Sequence, residues 1–156
     1  MTAEEMWKLS GLTGTYEAWP FGGAPDKLAD LVIRGIKTAT CSALILYEAE
    51  NEKVPEAGDY SVILDSEGNA VCIIQTTLAY IAAYKDVTSD HAFKEGEGDR
   101  SLEYWRAVHE EFFTEELSPI GQSFDEDLQL VCEEFKVVFF TVERQFSSCI
   151  RTVKRG

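Results

Sequence analysis

The segment Gly35-Ile-Lys-Thr-Ala-Thr40 constrains the fold more than any other stretch, because it lies where a helical pattern ends and a β pattern begins. Pro25 suits the first turn of a helix, where its missing N–H would have no intrahelical partner, and Gly35 suits the left-handed residue that closes one. Between them Leu28, Leu31 and Val32 recur at helical spacing. Residues 38–47 are then β-branched and apolar, with Ala43 and Ile45 on one face and Leu44 and Leu46 on the other, the pattern of a strand covered on both sides. The chain therefore turns a corner at Lys37. A lysine at such a corner can pack its stem and hold its nitrogen partly out of water, which favours the neutral amine and acid–base work near neutral pH. Thr40 offers a hydroxyl nearby.

The remaining elements alternate between strands and helices. Residues 2–12 read as a short helix packing Met6 and Trp7, and residues 11–23 as a loop rich in glycine and aromatics. Residues 60–64 and 70–80 read as an antiparallel pair joined by the turn Ser66-Glu-Gly-Asn69. Thr88 can cap a helix carrying His91, Phe93 and Glu95, which Gly96 and Gly98 end. Leu102, Trp105, Val108, His109, Phe112 and Phe113 fall three and four apart, an amphipathic helix whose aromatic stripe belongs to the core. Residues 129–142 give a last strand, in which Phe135, Val137 and Phe139 alternate with Lys136 and Val138. Strands interrupted by helices indicate an α+β fold, not a doubly wound parallel sheet. With 156 residues, no repeat and no linker, the chain is expected to form one domain over 1–156, with a core at about 16–140 and a C-terminal extension at 141–156.

Composition removes several classes of function. No apolar run approaches the roughly twenty residues of a membrane span, and the opening Met1-Thr-Ala-Glu-Glu-Met6 is acidic where a secretory signal would be basic and then apolar, so a cytoplasmic protein with no membrane partner is expected. Cys41, Cys72, Cys132 and Cys149 form no CxxC pair and have only two histidines to help them, so buried thiols are expected, with no metal and no cofactor. The formal charge of −14 repels a polyanion and disfavours long nucleic acid as a partner. Arg144, Arg151, Lys154 and Arg155 stand against Glu143 alone near the C-terminus, a thin patch that reads as a frayed end with solvated charges.

Motifs along most of residues 16–140 resemble those of ASCH-domain proteins, in their longer bacterial branch. The resemblance runs through Trp19-Pro-Phe-Gly-Gly23, Leu28-Ala-Asp-Leu-Val32, the Gly-x-Lys-x-x-Thr motif at 35–40, and Val54-Pro-Glu-Ala-Gly-Asp59. It continues through His91-Ala92, Glu95-Gly-Glu-Gly-Asp-Arg-Ser-Leu102 and Trp105-Arg106. It implies a small PUA-like β-barrel of mainly antiparallel strands flanked by helices, with a cleft onto which the lysine motif opens. In the smaller ASCH amidohydrolases that deacetylate N4-acetylcytidine, activity depends on a lysine, a threonine and a glutamate that match Lys37, Thr40 and Glu95. The resemblance thus implies a protein acting on a modified nucleoside or RNA fragment, with amide hydrolysis of an N-acylated cytidine as the reaction. Trp19, Phe21 and Tyr84 are candidates to stack a base, Trp19 foremost, and Thr38, Arg100 and Arg106 to bind substrate. Two alternatives belong to other classes. One is a non-catalytic RNA-binding module using Arg34, Lys37, Arg100 and Arg106, and the other is a metal-assisted ribonuclease.

Overall fold

The computed structural model describes residues 1–141, so the basic C-terminal segment and Cys149 lie outside the described residues. Its chain order is α1 (Ala3–Ser10), β1 (Glu17–Pro20), α2 (Pro25–Ile33), β2 (Ala39–Ala43), α3 (Leu44–Ala49), β3 (Tyr60–Leu64), β4 (Ala70–Ala83), α4 (Ser89–Glu95), α5 (Leu102–Leu117) and β5 (Gln129–Phe139). The five strands form one sheet in the order β1-β3-β4-β5-β2. Only the β1–β3 pair is parallel; β3–β4, β4–β5 and β2–β5 are antiparallel. The sheet curls into a half-barrel flanked by helices, the α+β architecture expected from the sequence. Long β4 and β5 pair along most of their length, with register shifts at Ile73/Ile74 and Thr76/Leu78 that bend the ribbon.

Local chemistry explains where the elements stop. The Thr2 hydroxyl and Glu5 carboxylate of α1 cap each other's backbone N–H groups, and Met6 is buried against Val62 and Ile73. At the end of α2, Gly35 adopts φ +74°; its N–H reaches the Val32 carbonyl and the Ile36 N–H reaches back to Leu31, so the last carbonyls are satisfied and the chain reverses toward Lys37. Thr88 caps α4 by accepting from the His91 N–H, and Gly96 ends it at φ +77°. Gly96 is required for space as well: a Cβ there would stand 2.6 Å from the Ile36 carbonyl oxygen. The end of α4 is thereby pressed against the residues that lead into Lys37.

Three expectations need correction. The strand after Lys37 ends at Ala43, and Leu44–Ala49 is helix α3. A run of Leu, Ile, Leu, Tyr, Glu and Ala has good helix propensity, and a short apolar run carries no period that separates strand from helix. β2 is accordingly an edge strand, and its outer side is met by α4, whose Lys94 carbonyl accepts from the Thr38 N–H at 2.7 Å. The loop expected over residues 11–23 contains β1, which carries Trp19. Tyr84, weighed as a base-stacking residue, is core: it is buried against Trp105 and Phe124 and donates its hydroxyl to the Arg106 carbonyl at 2.7 Å.

Candidate active site

Lys37 and Glu95 meet inside the protein. The loop after Gly35 turns the Lys37 side chain inward, and the last turn of α4 carries Glu95 to it; both residues are essentially inaccessible, at 2% and 1%. Lys37 Nζ donates to Glu95 Oε1 at 3.4 Å and to the Glu95 backbone oxygen at 3.4 Å, and it lies 3.7 Å from Glu97 Oε2. The Phe21 ring sits 5.3 Å from the same nitrogen. The other Glu95 oxygen, Oε2, accepts from His91 Nε2 at 2.7 Å and from the Trp105 indole N–H at 2.6 Å. His109 Nε2 lies 3.5 Å from Oε1, and its ring stacks on Trp105 with centroids 4.3 Å apart.

This arrangement fixes the charge on Glu95. Burial alone would push its carboxyl up, but the Lys37 ammonium and hydrogen bonds from His109 and His91 outweigh burial and hold it well below the usual range. For His109, burial pulls the imidazole down, and the carboxylate of Glu95 with the Trp105 carbonyl more than reverses this, so it is raised above 6.5. His109 Nδ1 can only donate to the Trp105 carbonyl, 2.8 Å away, which leaves Nε2 to carry the second proton toward Glu95. A raised imidazole stabilises the fold below its unfolded pKa, and that contribution is lost as pH rises through the folded value. NMR titration of the His109 ring is therefore expected to place it above the usual histidine range, with Glu95→Gln moving it back down. A His109 that titrates at or below the ordinary value in the parent protein contradicts the pairing.

Beside this buried group lies an open cavity of about 850 Å³, whose lining includes neither Lys37 nor Glu95. Its lining includes Phe21, Cys41 and Phe113, and each of these also touches the buried group: Phe21 through Lys37, Cys41 through a hydrogen bond with Glu95, and Phe113 through the His109 ring. The Cys41 thiol is held neutral, raised first by burial and then by Glu95. Trp19 and Phe21 form part of the wall, packed edge to face at 5.0 Å. Thr40 also lines the cavity. Along β2 the half-buried Thr40 and Ser42 alternate with buried Ala39, Cys41 and Ala43, so Thr40 projects from the face opposite Cys41. Among the described residues no hydrogen bond joins Thr40 to Lys37 or Glu95; its register partner is Glu133 on β5.

The structure thus brings Lys37 and Glu95 into contact and places Thr40, Trp19 and Phe21 on the adjoining cavity. Other sequence candidates serve elsewhere. Thr38 ties β2 to α4 through the Lys94 carbonyl. Arg100 lies over the Phe93 ring at 3.6 Å and donates to the Phe93 and Ile36 carbonyls. Arg106 is exposed and donates to the Lys85 carbonyl. Asp99 is exposed and accepts from the Ser101 N–H, so among the three acidic residues of that loop Glu95 is the buried one. His91, Trp105 and His109 are absent from the sequence's site candidates, which leave Trp105 and His109 in the core stripe, although a signal exists: His91 and Glu95, like Trp105 and His109, are four residues apart on a helix and share one face.

Among the described residues two sets of side chains have ligand atoms close enough for a metal ion, Cys41 with His91 and Glu95, and Glu95 with Glu97 and His109. Both share Glu95, whose oxygens already accept from Lys37, His91 and Trp105, so a cation at either place would compete with the lysine ammonium. No described helix is long and apolar enough to cross a membrane.

Comparison with known proteins agrees with the architecture. An ASCH domain from Lactobacillus crispatus JV V101 is 33% identical, with 86% of this chain and 92% of that chain covered and a TM-score of 0.80. A protein of family DUF984 from Enterococcus faecalis V583 is 36% identical, with 91% of each chain covered and a TM-score of 0.82. No curated protein matches the chain. The ASCH domain family model matches residues 17–139, which span β1 to the end of β5 and include the buried Lys37–Glu95 pair and most of the residues that line the adjoining cavity; the chain belongs to the ASCH domain family.

Proposed function

We propose that this protein hydrolyses the amide bond of an N-acylated nucleoside of the N4-acetylcytidine type, with Lys37 and Glu95 directly behind the Phe21 and Cys41 lining of the cavity and Thr40 in its wall. The observation that carries this reading is the buried Lys37–Glu95 pair in contact with Phe21 and Cys41, which line an aromatic-walled cavity. A buried ion pair contributes little net stability, because desolvation offsets its attraction, so such a pair beside a cavity is a candidate for chemistry. The cavity, at about 850 Å³, lies within the usual range for small-molecule sites.

In this reading Thr40 orients the attacking water and the Lys37 ammonium stabilises the oxyanion that forms on the acyl carbon. The ammonium also supplies a proton to the departing nitrogen, and the attacking water restores it. One water is consumed; a carboxylic acid, which then releases its proton to solvent, and a free amine leave. Glu95, fixed by His91 and Trp105, holds the Lys37 nitrogen in place. The RNA-binding alternative needs cations converging on a groove. Here Arg34 pairs with Asp30, Lys37 is buried, and Arg100 and Arg106 are committed to backbone carbonyls.

A panel of N-acylated nucleosides incubated with the protein and resolved by chromatography tests the proposal. Conversion of at least one member to its free amine is expected, and Thr40→Val is expected to lower turnover about 10²-fold through loss of the positioned water, with binding retained. A protein that converts no member of the panel is not an enzyme of this kind.

A further inference from the structure

The cavity holds a buried carboxylate of its own on β5, on the face of the sheet that carries Thr40 and opposite the one that carries Cys41. Glu133 is 7% exposed, lines the cavity, and stands across the β2–β5 ladder from Thr40. Its Oε1 accepts from the Thr76 hydroxyl at 3.2 Å, and no described protein group bonds its Oε2. The charged and titratable groups that face it are Asp59 ahead of β3, Glu17 on β1 and Tyr47 on α3; Thr76 from β4 is its hydrogen-bond donor. Among the described residues no cation is paired with it. The lysine on the cavity lining, Lys53, is paired with Glu56 at 3.3 Å.

We infer that Glu133 is a ligand-binding residue that, as a neutral acid, takes the amino–ring-nitrogen edge of an unphosphorylated aminopyrimidine. The proposal rests on the nucleoside reading above and adds to it a named contact and a selection against phosphate. The chemistry is complementary. With Oε1 accepting from Thr76, the acid proton sits on Oε2 and can donate to the ring nitrogen, while the carboxyl oxygens accept from the exocyclic N–H. A carboxylate would keep only the second bond and face the ring lone pair. The surroundings favour the neutral form: burial first, and then Asp59 and Glu17, push the carboxyl up to about 7 against the opposing Thr76 bond. Glu17, Glu52, Asp59 and Glu116 on the lining repel a phosphate, whereas a bare nucleoside brings no charge to repel.

Calorimetric binding of cytidine, uridine and cytidine 5′-monophosphate tests this without any turnover. Cytidine is expected to bind at pH 6 and to weaken about tenfold per pH unit above the carboxyl pKa. Uridine lacks the exocyclic donor, and the monophosphate meets the acidic lining; each is expected to bind at least about tenfold more weakly than cytidine. Glu133→Gln, whose amide can make the same two bonds, is expected to bind cytidine at pH 6 about as well as the parent, with a flat pH profile. A parent profile that is flat, a Glu133→Gln profile that still falls above pH 7, or equal affinity for the monophosphate overturns the assignment. So does an absence of cytidine binding at millimolar concentration. Cytidine binding with this profile and no hydrolysis would remove the amidohydrolase reading and leave Glu133 in place; hydrolysis with an unchanged Glu133→Gln profile would do the reverse.

Discussion

Lys37→Met is expected to destabilise the protein by about 3–5 kcal/mol, because it leaves the Glu95 carboxylate buried without its cation. Glu95 is 1% exposed and cannot regain solvation by a side-chain turn, since His91 and Trp105 hold Oε2 in place. Glu95→Gln alone should be less severe: the amide oxygen can still accept from two of its donors, while Lys37 keeps the Glu95 backbone oxygen and Glu97 as partners. The double variant is expected to lose less than the sum of the singles, by at least about 1 kcal/mol, because the second change removes the unpaired charge that the first one creates. Urea unfolding of the four proteins measures the coupling directly. Additive losses would mean that the pair does not interact across its 3.4 Å separation.

Glu133→Gln should move stability the other way. A group whose folded pKa is raised is protonated in the native state while the unfolded chain has already ionised, so stability falls as pH rises between the two values. For Glu133 that window runs from the ordinary 4.5 to about 7. The pKa difference corresponds to about 3 kcal/mol by pH 8, which the parent protein lacks and the uncharged amide retains. Thermal unfolding at pH 8 should therefore show Glu133→Gln melting higher, by roughly 5–10 °C, with the difference shrinking toward pH 5. The signs distinguish the two carboxylates. Glu95 has a depressed pKa, and its contribution is present above its unfolded value and lost as pH falls through the folded one. A stabilised variant would also fit a position retained for ligand contact at the expense of stability.

The corner at Lys37 was legible because each part of it is local. Pro25 and Gly35 bracket a helix by their own backbone preferences, and a left-handed glycine followed by reversal of the chain puts the next side chains against the protein. The threonine cap and glycine stop of α4 were readable for the same reason. α3 was not, since Leu44, Ile45 and Leu46 carry no period short enough to separate strand from helix, and their half-buried state comes from packing on β5 and the α5 side of the core. The site divided along the same line. Lys37 and Glu95 were named through family motifs, while the groups that set their charge, His91, Trp105 and His109, arrive from helices joined only in three dimensions. Glu133 was hidden more deeply. In Val-Cys-Glu-Glu-Phe the alternation places Glu133 and Glu134 on opposite faces, and which of the two is buried depends on the curl of the sheet and on Thr40 and Thr76 across the ladders. The net charge of −14 argued against a polyanion; its local meaning emerged only once Glu17, Glu52, Asp59 and Glu116 were seen around one cavity.

The proposed function assigns amide hydrolysis of a nucleoside in the adjoining cavity to the buried Lys37–Glu95 pair. The most direct measurement is the rate of cytidine release from N4-acetylcytidine by the parent protein and by Lys37→Met, with circular dichroism confirming that the variant is folded at the assay temperature and calorimetry confirming that it binds cytidine. Clear turnover by the parent, reduced at least about 10³-fold in the folded, ligand-binding variant, is the predicted result. Turnover by Lys37→Met within tenfold of the parent would contradict the account and remove Lys37 from the chemistry.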